Sequence, residues 1–222
     1  MTAGGLPGFV GALDESWAGL SLTMPLKQAV LPLLRSVSPL AESVAAANTV
    51  VPRDGVLHGE NTDVGGIVAA LAEAGVTAVS RAVVLGGGAT ARSTLAALAS
   101  LGCDRPTLVV RSSPDETLAA AVRLGVTPSV VAWSPEVLAD CDLLVSTLPS
   151  RAADRFAPYV ADVPALLDVV YDPWPTALAA GCRGTVVSGE AMLLHQAAEQ
   201  VTLMTGREAP LPVMRAALKA RR

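Results

Sequence analysis

Aromatic residues are scarce in this chain of 222 residues: three Trp, two Tyr and two Phe, 3% of the whole. That scarcity removes the stacking platforms that hold single-stranded nucleic acid. A formal net charge of −4 removes the basic footprint that a phosphate backbone needs, so no nucleic-acid partner is expected. The three cysteines, Cys103, Cys141 and Cys182, are odd in number and have no CxxC spacing. With only His58 and His195 beside them they form neither a disulfide framework nor a metal set, and no metal is expected. Hydrophobic residues make up 51%, yet they fall in short Ala, Val and Leu runs. None approaches the roughly 18 to 20 apolar residues of a membrane span. The first cationic side chain is Lys27, so no secretory signal is expected. The expected setting is the cytoplasm, with reduced thiols and no membrane contact.

Lysine is nearly absent as well. Of the 16 basic residues only Lys27 and Lys219 are lysine. Lysine can release a proton when desolvated, whereas guanidinium effectively cannot. The stretch GLSLTMPLK, Gly19 to Lys27, therefore marks a place where proton transfer would reject arginine.

From about Ile67 the chain alternates short β-rich runs with helical patterns. Strands are expected at Ala82–Leu85, Thr107–Val110, Ser129–Ala132, Leu143–Thr147, Leu166–Tyr171 and Thr185–Val187, with helices at Thr90–Leu101, Asp115–Leu124 and Pro135–Ala139. This alternation predicts an α/β fold with a doubly wound parallel sheet. The earlier part reads as helices at Leu6–Leu13 and Lys27–Ser36 around a strand at Leu20–Thr23. A hairpin comes next, Asn48–Pro52 and Leu57–Glu60 around Arg53-Asp54-Gly55, and then a helix Thr62–Ala74. Two last helices are expected at Glu190–Thr205 and Pro210–Ala220. The organisation this implies is a small substrate domain over 1–64, a Rossmann-type nucleotide domain over 65–189, and helices over 190–222 that return to the first domain.

AVVLGGGATARSTLAAL runs a strand through Gly86-Gly87-Gly88 into a helix that starts near Ala89, and Gly86-x-Gly88-x-x-Ala91 fits the dinucleotide fingerprint. The helix N-terminus offers unpaired N–H groups to a pyrophosphate. After the next strand stand Arg111-Ser112-Ser113 where an NAD site usually has an acidic residue, so NADP is the expected cofactor, although Asp115 lies close by. Three polar clusters, Ser21/Thr23/Lys27, Asn48/Thr49 and Asn61/Asp63, each end a separate element. If they converge, Lys27 and Asp63 form a proton-transfer pair facing the nucleotide.

Five segments then resemble, in order, the motifs of shikimate dehydrogenases: GLSLTMPLK, AAANTV, GENTDVGG, VVYDPWPTAL and SGEAMLLHQAA. The resemblance implies NADP-dependent, reversible reduction of 3-dehydroshikimate to shikimate, a step toward chorismate and the aromatic amino acids. It implies Lys27 as catalytic acid/base with Asp63 as its partner. Thr23, Asn48, Tyr171 and Gln196 would bind substrate. Gly86, Gly87, Gly88, Ala89, Arg111, Ser112, Thr147, Gly189 and Met192 would serve the cofactor, with Tyr171, Gly189 and Met192 at the substrate–nicotinamide junction. Ser21 stands where the family usually has Asn, and the family's Asn-Arg-Thr reads Val110-Arg111-Ser112. The family's opening strand-helix-strand unit, with its Ser-x-Ser pair, has no match before Gly19. An incomplete substrate lobe of at most three strands is therefore expected, with an open sheet edge that favours a homodimer. A quinate or aminoshikimate dehydrogenase, or a non-catalytic NADP-binding protein of the same fold, are the alternatives.

Overall fold

The computed structural model describes residues 2–14 and 16–220. Its first sheet has four strands. After a helix α1 (Leu6–Gly11), the strand β1 (Leu20–Ser21) leads to a short helix α2 (Leu26–Ala29). The expected helix Lys27–Ser36 does not form as one piece. Pro32 cannot donate a backbone hydrogen bond to a continuing helix, and a 3-10 turn at Leu31–Leu33 takes over. The chain then extends as β2 (Ser36–Val37), followed by α3 (Pro39–Val44). The hairpin forms as read, from β3 (Thr49–Arg53) and β4 (Val56–Glu60). The strand order is β1-β3-β4-β2, with β2 lying parallel to β4. The expectation of at most three strands is thus corrected: Ser36–Val37 adds a fourth and covers the β4 edge.

Helix α4 (Asp63–Glu73) leads into the second sheet. Its elements are β5 (Ala82–Leu85), α5 (Ala89–Ser100), β6 (Thr107–Val109), α6 (Asp115–Arg123), β7 (Ser129–Val131), β8 (Leu143–Ser146), β9 (Ala165–Asp168), α7 (Ala177–Gly181) and β10 (Thr185–Ser188). Pro135–Leu138 is a 3-10 turn and not a helix, and another spans Asp154–Tyr159. The expected strand Leu166–Tyr171 stops at Asp168, whose carboxylate accepts the Val170 N–H and turns the chain away. The six strands run in the order β10-β9-β8-β5-β6-β7, and every neighbouring pair is parallel. The order reverses on either side of β5, and the crevice beyond the carboxyl ends of such strands is where ligands bind.

Strand residues alternate between two cores, as the period of two requires. Ala82 and Val84 of β5 and Leu143 and Val145 of β8 pack on one face with Ile67, Leu71, Leu95 and Leu98. Val83, Leu85 and Leu144 pack on the other with Phe156, Val160 and Leu178. A third cluster, including Leu6, Leu20, Leu26 and Val50, fills the small sheet's side. The last helices, α8 (Gly189–Thr205) and α9 (Leu211–Lys219), bring the chain back to its beginning. Gly66 lets α4 and α8 approach closely, because a Cβ there would meet the Met192 carbonyl and the Gln196 side chain. Among the described residues no helix is long and apolar enough to cross a membrane.

Candidate active site

Between the two sheets lies a cavity of about 210 Å³. Ser21 and Thr23 reach it from the end of β1, Lys27 from α2 and Asp63 from the first turn of α4. Thr90 comes from α5, Val169 and Tyr171 from the loop after β9, and Gly189, Met192 and Gln196 from α8. Met192 and Gln196 are four apart and so share a helix face. The Lys27 Nζ donates to Asp63 Oδ2 at 2.6 Å, with side-chain exposures of 13% and 4%. Two charges so far withdrawn from water hold only if their remaining valences are filled.

Asn48 fills one. Its Nδ2 donates to Asp63 Oδ1 at 3.0 Å and to Gln196 Oε1 at 3.1 Å, while its Oδ1 accepts the Thr62 N–H at 2.8 Å. Gln200, one turn beyond Gln196, donates to Thr49 Oγ1 at 2.9 Å and to the Asn48 carbonyl at 3.1 Å. The three clusters converge, but Ser21, Thr23, Lys27 and Asp63 line the cavity while Thr49 and Asn61, like Asn48, are buried and do not. Asn48 is buried behind the cavity wall and its amide is committed to Asp63 and Gln196. Sequence reasoning missed Thr90 and Gln200. The i, i+4 spacing of Gln196 and Gln200 was the available signal for the second.

The loop that carries Val169 and Tyr171 is anchored by Asp168. Burial pushes its carboxyl up from the ordinary value, and hydrogen bonds from the Thr176 hydroxyl and the Val170 N–H oppose that rise. Thr176 Oγ1 donates to Asp168 Oδ2 at 2.7 Å and accepts the Ala179 N–H, capping α7. Gly189 begins α8 against this loop, where a Cβ would strike the Val169 carbonyl.

A second cavity, of about 430 Å³, opens at the carboxyl end of β5. Gly86, Gly87, Arg111, Ser112 and Ser113 line it, together with Trp133, Arg155 and Phe156. Gly86 has φ +112, and a Cβ there would run into Thr147 Oγ1. The backbone is therefore bare where a phosphate would approach, and the residues present fit a dinucleotide. Gly88 is the N-cap of α5 and Ala89 its first residue. Thr147 backs the glycine turn, its hydroxyl donating to the Leu85 carbonyl at 2.9 Å. Ser113, which lines this cavity, donates its hydroxyl to the Asp115 carboxylate. Arg155, Trp133 and Phe156 were not anticipated, since the irregular segments that carry them have no period to read. The Arg155 guanidinium lies 4.6 Å over the Phe156 ring.

A parallel sheet in the order 3-2-1-4-5-6, a glycine turn at its reversal and a buried lysine–carboxylate pair across the cleft define a class, the nicotinamide-nucleotide oxidoreductases of two α/β lobes. The family profile described as Shikimate dehydrogenase substrate binding domain matches residues 1–50, and that described as Shikimate 5'-dehydrogenase C-terminal domain matches residues 189–219. The Shikimate dehydrogenase (NADP(+)) of Oleidesulfovibrio alaskensis is 40% identical over 213 residues, covering 90% of this chain and 74% of that protein. This chain belongs to the shikimate dehydrogenase family. The crystal structure of Mycobacterium tuberculosis shikimate dehydrogenase superposes with a TM-score of 0.90 at 38% identity, over 98% of this chain and 85% of that one. A quinate dehydrogenase from Corynebacterium glutamicum, solved in complex with NAD, gives 0.84 at 30% identity, over 97% and 82%.

Proposed function

We propose that this chain catalyses the NADP-dependent, reversible reduction of 3-dehydroshikimate to shikimate. The observation that carries the reading is the 2.6 Å Lys27–Asp63 bond on the wall of a cavity that Gly189 and Met192 also line. The nucleotide, when bound at the glycine turn, supplies the hydride. Lys27 Nζ gives its proton to the substrate oxygen as the carbonyl is reduced, and takes it back in the reverse direction. Asp63 orients the lysine and offers its carboxylate to a neighbouring hydroxyl. Thr23, Tyr171 and Gln196 hold the other substrate oxygens, and Asn48 acts on the substrate by fixing Asp63 and Gln196. Gly86, Gly87, Gly88 and Ala89 present the turn and the helix N-terminus to the pyrophosphate, with Thr147 supporting the turn. Arg111 and Ser112 receive the 2′-phosphate. Gly189 and Met192 bound the nicotinamide.

In this reading residues 1–64 and 190–222 form the substrate lobe and 65–189 the nucleotide lobe, a division supported by the separate sheets. Cytoplasmic residence belongs to the same proposal, supported by the free thiols of Cys103, Cys141 and Cys182. So does a homodimer joined at the edge strand β1; sedimentation of the purified chain tests whether it dimerises.

The test is initial-rate turnover of shikimate and of quinate, each with NADP⁺ and with NAD⁺. Shikimate with NADP⁺ should give the highest kcat/KM. Preference for quinate would move the protein to the other substrate, and nucleotide binding without turnover of either would reduce it to a binding protein.

A further inference from the structure

We infer that Arg92 is a positioning residue, one that sets the distance between the nucleotide bound at the glycine turn and the Lys27–Asp63 pair; the inference rests on the oxidoreductase reading above. Arg92 sits in α5, four residues beyond its Gly88 N-cap, and among the described residues is the largest fully buried side chain, 1% exposed. A guanidinium out of water needs its fork of N–H donors occupied. Here Nε donates to the Val44 carbonyl at 2.7 Å, Nη2 to the Ala45 carbonyl at 3.2 Å and Nη1 to Glu116 Oε2 at 3.2 Å. Val44 and Ala45 end helix α3 of the other lobe, and Ala45 holds a left-handed φ of 51° there.

The three residues after those two carbonyls connect Arg92 to the chemistry. Ala46 O accepts Asn61 Nδ2 at 2.8 Å. The Ala47 N–H donates to the Lys27 carbonyl at 2.8 Å. Asn48 Nδ2 donates to Asp63 Oδ1. A single segment, residues 44–48, is therefore gripped at one end by the nucleotide helix and grips both members of the proton-transfer pair with the other. A second route runs parallel to it. Glu116, the acceptor for Arg92, also takes Gln28 Nε2 at 2.6 Å, and Gln28 is the neighbour of Lys27 in the chain. Ser93, next to Arg92, lies 3.3 Å from Asn61 Nδ2.

A buried charge is poor evidence for stability, because well-packed apolar residues often serve as well. Directional donors that span two lobes supply register instead. Register matters here because a misplacement of about 1 Å, even from a distant mutation, can cost on the order of 100-fold in rate.

The experiment uses the full chain as wild type, Arg92→Met, Arg92→Lys and Glu116→Ala. It measures kcat, the KM for shikimate, the Kd for NADP⁺ and the primary isotope effect with shikimate deuterated at the carbon that gives up hydride. Arg92→Met should lower kcat by roughly 10- to 100-fold. The isotope effect on kcat should rise, and the Kd for NADP⁺ should stay at the wild-type level. Arg92→Lys, which keeps the charge but not the fork, should fall between. Should Arg92→Met fail to fold, Arg92→Lys and Glu116→Ala carry the test, since Glu116 is exposed on its outer side. Variants with wild-type kcat and isotope effect, or a loss confined to nucleotide affinity, would overturn the inference while leaving the function intact. A wild type that does not turn over shikimate would overturn both.

Discussion

Lys27 and Asp63 meet at 2.6 Å with both side chains largely withdrawn from water. Removing one member of such a pair strands the other, at a cost of about 3–5 kcal/mol. Alanine at either position would therefore confound folding with chemistry. Arg111 is a cleaner probe, because it is exposed and lines the cofactor cavity. Arg111→Ala should weaken NADP⁺ by about 1.5–3 kcal/mol, the worth of a hydrogen bond to a charged group, and leave NAD⁺ nearly unchanged. Titrating both nucleotides against wild type and variant checks this; an equal loss for the two would remove Arg111 from the 2′-phosphate. At this scale the sequence was informative where a residue type was out of place. A lysine, one of only two among 16 basic residues, pointed to position 27, and three glycines after a strand pointed to 86–88. It was silent on Trp133, Arg155 and Phe156, which only the fold carries to the glycine turn. It was silent too on Arg92, since an arginine in a helix looks solvated until its neighbours are known.

Helices and strands were legible wherever their period was regular. The parallel strands were anticipated within a few residues because the central ones, β5, β8 and β9, are buried on both faces and read as unbroken apolar runs. The misses came where a local breaker outweighed the pattern. Pro32 divided one expected helix, and α3 was overlooked although Ser38-Pro39 is a helix-start signal. Ser38 Oγ indeed accepts the Ala41 N–H at 3.3 Å. The returning helix α9 offers a prediction at this scale. Glu73 of α4 accepts His195 Nε2 of α8 at 2.7 Å and Arg215 Nη1 of α9 at 2.9 Å. Those hydrogen bonds, from His195 first and then Arg215, hold its carboxyl below the ordinary value of 4.5. A depressed folded pKa means that the native state binds fewer protons, so the stabilisation is present above the unfolded value and is lost as pH falls through the folded one. Glu73→Gln should flatten the acid limb of thermal stability, most visibly below about pH 4.5, the ordinary glutamate value. Because Glu73 is half-exposed, the effect should be small. Melting curves across that range decide it: an acid limb as steep as in wild type would detach Glu73 from the docking of α9.

At the scale of the molecule, the two sheets fold from different parts of the chain, and the site belongs to neither alone. Thr90 of the nucleotide helix and Asp63 of α4 line the same cavity. Asn61 and Ser93 lie within hydrogen-bonding distance across the junction. The architecture could be read from alternation, and the convergence of the polar clusters from their positions at element ends. The network behind the cavity could not, because Asn48, Gln196 and Gln200 are up to 152 positions apart and only tertiary packing joins them.

The central claim is that Lys27 moves a proton, and a single substitution separates that role from mere positive charge. Lys27→Arg keeps the cation facing Asp63 but removes a group able to release its proton. In steady-state turnover of shikimate with NADP⁺, the variant should lose about 10²–10⁴ in kcat while its affinity for NADP⁺ matches wild type. A Lys27→Arg protein with wild-type kcat would contradict the account.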